Sequence, residues 1–171
     1  RNVYARAQVV GVEENFNFSN PSSHVTQLIK AYQLLQDIED KHWKNQKSKE
    51  LKSIIQMCAG LYLEASAESN WGTQGESINL DIEVLNRSSL PMTLLSIKNA
   101  GALGVSKNID LENNTRFIFK EVLKISANEP PTTPYWLNEK ATLGMYKVND
   151  SKLIGLPETP RTQNVDFKVL I

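Results

Sequence analysis

Two histidines and a single cysteine are the whole stock of imidazole and thiol in this chain, and their placement limits the chemistry it can carry. Metal-assisted hydrolysis needs clustered His, Asp, Glu or Cys ligands and an open position for water. Read on one helix, His24 and His42 point the same way but sit about 27 Å apart, so they cannot share an ion. They are expected as surface histidines near the helix ends. A cysteine nucleophile needs a base and an electropositive setting, whereas Cys58 falls on an apolar stripe between Ile55 and Leu61 and is expected to be a buried structural thiol. No Gly-x-Ser-x-Gly segment occurs, and Gly101-Ala102-Leu103-Gly104 lacks the Lys-Ser/Thr pair of a phosphate loop, so it reads as a turn. The carboxylate pairs Asp37 with Asp40 and Asp81 with Glu83 fit solvated faces. No residue is therefore assigned a catalytic, cofactor-binding or metal-binding role.

The 171 residues suffice for a hydrophobic core without staples, and one cysteine cannot close an internal disulfide. Nineteen basic residues balance nineteen acidic ones. The longest basic stretch, from Lys41 to Lys52, is short, so a field able to hold a nucleic acid is not expected. No segment reaches the roughly 20 apolar residues that span a bilayer. The chain opens without methionine and closes on the apolar pattern Val165 to Ile171, which predicts a region excised from a longer polypeptide.

The elements that would position any site follow from periodicity. Val25, Leu28, Ile29, Tyr32, Leu35, Ile38 and Trp43 follow helical spacing behind the capping segment Asn20-Pro21-Ser22-Ser23. A break is expected near Asn45. A second stripe, Leu51, Ile54, Ile55, Cys58, Leu61 and Tyr62, starts behind Ser48, and the two helices are expected to pair as a hairpin. Trp43 or Tyr62 is expected to dock on the sandwich, and Trp43→Ala to destabilise the protein. After Glu68 the period falls to two: Ile78, Leu80, Ile82 and Val84 alternate with polar residues, as on a half-buried strand. Further strands are predicted over 93–98, 116–125, 144–148 and 165–171, at spacings that favour an antiparallel sandwich.

The resulting fold class is α+β: a two-helix hairpin packed on or beside an antiparallel immunoglobulin-like β-sandwich. Residues 1–20 read as a connecting segment, 21–68 as the hairpin, and 69–171 as the sandwich, truncated at its C-terminus. The most unusual local feature is Pro130-Pro131-Thr132-Thr133-Pro134-Tyr135-Trp136-Leu137, where stiff backbone presents two large rings together. Either Tyr135 and Trp136 anchor the loop into the sandwich or a neighbouring domain, or they form a platform for a sugar ring, with Trp71 in its Gly-flanked turn adding a second face. The tripeptides beginning at Asn17, Asn86, Asn113 and Asn149 match the N-glycan acceptor pattern, common by chance in an Asn-rich chain, and receive no role.

Four segments in order, Ala59-Gly60-Leu61-Tyr62-Leu63-Glu64-Ala65, Gly75-Glu76-Ser77 leading to Val84-Leu85-Asn86-Arg87-Ser88, Pro134-Tyr135-Trp136-Leu137, and Leu153-Ile154-Gly155-Leu156-Pro157-Glu158, carry a resemblance. From about Pro21 onward the chain resembles the region after the catalytic domain in large PIG-L (LmbE-like) deacetylase proteins of Bacteroidetes type. The resemblance implies a parent hydrolase, secreted or periplasmic, that deacetylates N-acetylglucosamine-type sugars with zinc held in a separate upstream domain by a His-Pro-Asp-Asp motif. His24 is followed by Val25 and His42 by Trp43, so no zinc or catalytic role carries over to this chain. The implied role is an accessory domain whose partner is the upstream catalytic domain, with carbohydrate as a further candidate partner. Alternatives are a carbohydrate-binding module, a wall or lid to the parent's active site, and an adhesin-like surface domain unrelated to deacetylation.

Overall fold

A computed structural model describes residues 3–99 and 105–171, leaving Gly101 to Gly104 outside the described residues. Three helices, α1 (Val3–Glu14), α2 (Val25–Leu35) and α3 (Lys41–Ala59), precede six strands: β1 (Leu61–Ala67), β2 (Ser77–Asn86), β3 (Thr93–Asn99), β4 (Val105–Asp110), β5 (Arg116–Lys124) and β6 (Val165–Leu170). The strands form two antiparallel three-stranded sheets, ordered β1-β2-β5 and β4-β3-β6. The fold is therefore a mixed α+β arrangement.

The alternation read from β2 is observed: Ile78, Leu80, Ile82 and Val84 are buried and Asn79 and Asp81 exposed. Strands β3, β5 and β6 also lie where alternation puts them. Other expectations fail for identifiable reasons. Residues 3–14, expected as a connector, form helix α1, which packs against α2 and contributes the buried Ala5 and Val12. The first long helix stops at Leu35, not near Asn45, because Asp40 starts a new one: its carboxylate accepts from the backbone N–H groups of His42 and Trp43 at 2.9 and 3.2 Å. Asp40, not Ser48, is thus the cap, and His24 and His42 lie on different elements rather than one helix. Trp43 sits in the first turn of α3 and is 51% exposed; it does not dock, and the loss expected for Trp43→Ala has no burial behind it. Cys58 is only partly buried, packed against the core edge, and desolvation pushes its thiol pKa up.

The second stripe ends at Ala59, and Leu61 and Tyr62 begin strand β1. Gly60 makes the switch at φ 66°, the left-handed conformation that ends helices, with its N–H turned back to the Met57 carbonyl at 3.1 Å. Its own carbonyl accepts from Arg87 N at 2.9 Å, so helix end and strand start are fixed to the end of β2. Residues 144–148, read as a strand, pair with no strand among the described residues; an isolated bridge between Thr142 and Met145 forms there.

One buried cluster draws on Val25, Leu28 and Ala31 of α2, Leu51 and Ile55 of α3, Leu80, Ile82 and Val84 of β2, and Leu94 and Ile97 of β3. Polar links join the sheets. Lys107 of β4 pairs with Glu121 of β5 at 2.8 Å, with both side chains mostly buried and the ammonium 4.7 Å from the Phe119 ring centroid. The Asn99 amide donates to the Val122 carbonyl at 3.0 Å.

The main joint is Asn86, only 1% exposed. Its side-chain NH2 donates to the carbonyls of Leu90 (2.9 Å) and Leu111 (3.0 Å), and its side-chain oxygen accepts from the N–H and hydroxyl of Ser88. Its backbone carbonyl accepts from Asn114 N at 2.7 Å. One side chain thus ties the end of β2, the turn that follows, and the link between β4 and β5. The tripeptide starting at Asn86 is spent on packing.

Candidate functional site

Residues 125–164 join β5, in one sheet, to β6, in the other, with only a short 3-10 turn at Tyr135–Leu137 and no strand. Structureless connections beyond about 15 residues are uncommon and tend to carry function. Tyr135 is the hook of this segment. It is buried, its hydroxyl donates to the Leu156 carbonyl at 3.0 Å, and its N–H donates to Thr159 Oγ1 at 2.9 Å. Thr159 in turn donates to the Thr133 carbonyl at 3.0 Å. The half-buried Trp136 meets Tyr135 edge-to-face, with centroids 4.9 Å apart. Pro134 fits the sharp entry, with φ −53° and ψ 126°.

With its two ends clasped, the segment turns large apolar side chains outward. Leu143 is fully exposed, and Leu137, Met145, Tyr146 and Ile154 are each more than half exposed. Local bonds hold this shape: Thr142 and Met145 exchange backbone hydrogen bonds, Asn149 donates to Glu139 at 2.8 Å, and Asp150 accepts from Lys152 N at 3.0 Å. The segment meets the first sheet's loops where Gln74 donates to the Glu129 carbonyl at 2.6 Å.

Trp71 stands elsewhere, in the loop between β1 and β2, and is 70% exposed. Gly72 lets this loop lie flat on the sheet end: a Cβ there would come within 2.5 Å of Ile125 Cδ1 and 2.6 Å of Ile78 Cδ1. Close by in sequence, the outer face of the first sheet bears a shallow concavity lined by Ser66, Glu68, Asn79, Asp81, Lys120 and Val122. Its groups are held by one another. The Glu68 carboxylate accepts from the Asn79 side chain at 2.9 Å and from Asn79 N at 3.2 Å, which holds its pKa below the usual value. Lys120 pairs with Asp81 at 2.5 Å. Further along the face Arg116 pairs with Glu83, lowering the Glu83 pKa, and Tyr62 donates to Glu64 at 2.8 Å, which raises the tyrosine pKa.

Of the three aromatic residues singled out by sequence, Tyr135 and Trp136 are neighbours in contact and Trp71 belongs to a different loop. The exposed side chains of 143–154 and the polar outer face of the first sheet are not singled out by sequence, because each residue alone is ordinary and the grouping is created by strand pairing and by the Tyr135 clasp. His24 holds its own loop together, with Nε2 accepting from Asn17 N at 2.9 Å and the ring stacked on Phe16. Among the described residues, no three His, Cys, Asp or Glu side chains group closely enough to hold a metal ion, and no helix is long and apolar enough to cross a membrane. No family model, no curated protein and no solved structure matches this chain.

Proposed function

We propose that this chain is a non-catalytic accessory domain of a larger PIG-L/LmbE-like deacetylase, and that segment 125–164 is the surface through which it docks on the catalytic domain. In this reading the two sheets form an immunoglobulin-like sandwich with a helical hairpin at its side. The observation that carries it is the clasped segment showing Leu137, Leu143, Met145, Tyr146 and Ile154 to solvent. Large apolar side chains exposed together on one clasped segment point to an interaction site. The resemblance supplies the occupant, a zinc-dependent catalytic domain in the same polypeptide, in an extracytoplasmic setting. Hydrogen exchange on the full-length protein and on this chain tests it. Amides of 137–156 are expected to exchange about tenfold or more slowly in the full-length protein, and Leu143→Asp with Tyr146→Asp is expected to abolish the difference. Equal exchange in the two proteins rejects docking through this segment.

A second reading, a carbohydrate-binding module, is favoured by Trp71. Trp71 offers an exposed indole as a stacking face, and the outer face of the first sheet, a few residues away in sequence, carries fixed carboxylate, amide and ammonium groups able to pair with sugar hydroxyls. Glycan-array and calorimetric binding is then expected to weaken by tenfold or more in Trp71→Ala, an effect of about 1.4 kcal/mol, and to persist in Trp136→Ala. Absence of binding to any glycan, or indifference to Trp71→Ala, removes this reading.

A further inference from the structure

The helical part of the molecule carries its own concavity, separate from both surfaces above. Between α2 and α3 lies an open hollow of about 350 Å³, lined by Tyr32, Lys44, Asn45, Ser48, Lys49 and Lys52, with Gln36 at its margin. The three lysines follow from the register of α3. Leu51, Ile55 and Ala59 fill the buried side, while Lys44, Ser48 and Lys52 fall four residues apart on a row beside α2, placing the outer two Cα atoms about 12 Å apart. Lys49 lies on the adjoining row.

The hollow is partly organised. Lys44 Nζ donates to the Gln36 carbonyl at 2.6 Å, and the Gln36 side chain donates to Ser48 Oγ at 3.1 Å and to the Tyr32 carbonyl at 3.2 Å. Lys52 Nζ sits 5.4 Å from the Tyr32 ring centroid. Among the described residues, none of Lys44, Lys49 and Lys52 forms an ion pair. The carboxylates nearest in sequence are engaged elsewhere, Asp40 in capping α3 and Glu50 with Lys47 and Gln46. Asp37 and Glu39 are exposed in the α2–α3 link and do not line the hollow. In a chain whose formal charge is zero, this gathers positive charge with amide and hydroxyl donors on one concave wall.

We propose that the α2–α3 hollow binds a compact oxyanion of the phosphate or sulfate class, with the ammonium groups of Lys44, Lys49 and Lys52 supplying charge and Asn45 and Ser48 supplying hydrogen bonds. Lysine donors act as hydrated point charges with no fixed fork, so recognition here rests on charge density, which favours a compact, multiply charged oxyanion. Screening by salt is expected to weaken the site steeply, since the hollow is open to solvent.

Pyrophosphate and inorganic sulfate, titrated into isotopically labelled protein at fixed ionic strength and followed by NMR, test the proposal. Saturable shifts centred on Tyr32, Asn45 and Ser48, with Kd below about 1 mM, are expected. Lys49→Gln and Lys52→Gln should each weaken binding about threefold to tenfold, while Lys147→Gln, on the β5–β6 segment, leaves it unchanged. Saturation by pyrophosphate alone assigns phosphate chemistry; saturation by both ions assigns tetrahedral oxyanions generally. Shifts that grow linearly and equally around lysines throughout the molecule overturn the site, as does unchanged affinity in both α3 variants. These exposed lysines lie outside the core, so the variants should retain the parent's spectral dispersion.

Discussion

Replacing Asn86 with alanine is expected to lower the melting temperature by about 5–15 °C, a loss of roughly 2–4 kcal/mol. The magnitude follows from what the truncation strands. The carbonyls of Leu90 and Leu111 lose their donor, and the Ser88 N–H and hydroxyl lose their acceptor, around a side chain that is itself buried. A buried polar group left unsatisfied costs more than the bond contributed, and linked bonds fail together. Asn86→Asp sharpens the test. It keeps the shape but turns a carboxylate oxygen toward two carbonyls, so its pKa in the folded state must rise above the unfolded value. Its destabilisation should therefore grow as pH rises through that window and ease as pH falls. Differential scanning calorimetry of both variants across pH reads this directly, and an Asn86→Ala melt within error of the parent rejects the joint.

Tyr135→Ala should act locally and strongly. Removing a buried ring together with its bond to the Leu156 carbonyl is expected to cost about 2–4 kcal/mol, and this falls on the opening of segment 125–164, not on the sheets. Exchange at the amides of Leu137, Ile154 and Leu156 should then accelerate about 30- to 1,000-fold, with β2 amides unchanged. Limited proteolysis should cut first between 137 and 156. Tyr135→Phe keeps the ring and should lose only about 1 kcal/mol. Uniform acceleration through β2 would contradict a separately opening segment, and unchanged exchange in Tyr135→Ala would contradict the clasp.

How much of this is legible in the sequence depends on whether a signal is local. The alternation from Ile78 to Val84 is, because one face of β2 is buried and the other solvated. Helix α1 is not: its apolar residues are mainly valine and Gly11 interrupts it. Strand β1 is hidden because Leu61 and Tyr62 extend the three-and-four spacing of Ile54, Ile55 and Cys58, and Gly60 is the one stop signal between them. Trp43 keeps the helical period of α2 but belongs to α3, whose frame Asp40 resets. Residues 144–148 have strand-like alternation, yet a strand exists only where another can pair with it. The candidate site is legible at its anchor, Tyr135, but the exposure around it depends on contacts between residues such as Tyr135 and Leu156 that lie far apart in the chain.

The junction at Gly60 has a mechanical corollary. With α3 ending at Ala59 and β1 starting at Leu61, there is no slack between helix and sheet, and the one intervening carbonyl is fastened to Arg87, next to Asn86. Helix α3 is therefore a lever welded to its fulcrum. Torque on its outer end reaches the β2 terminus directly, through Gly60 and its bond to Arg87.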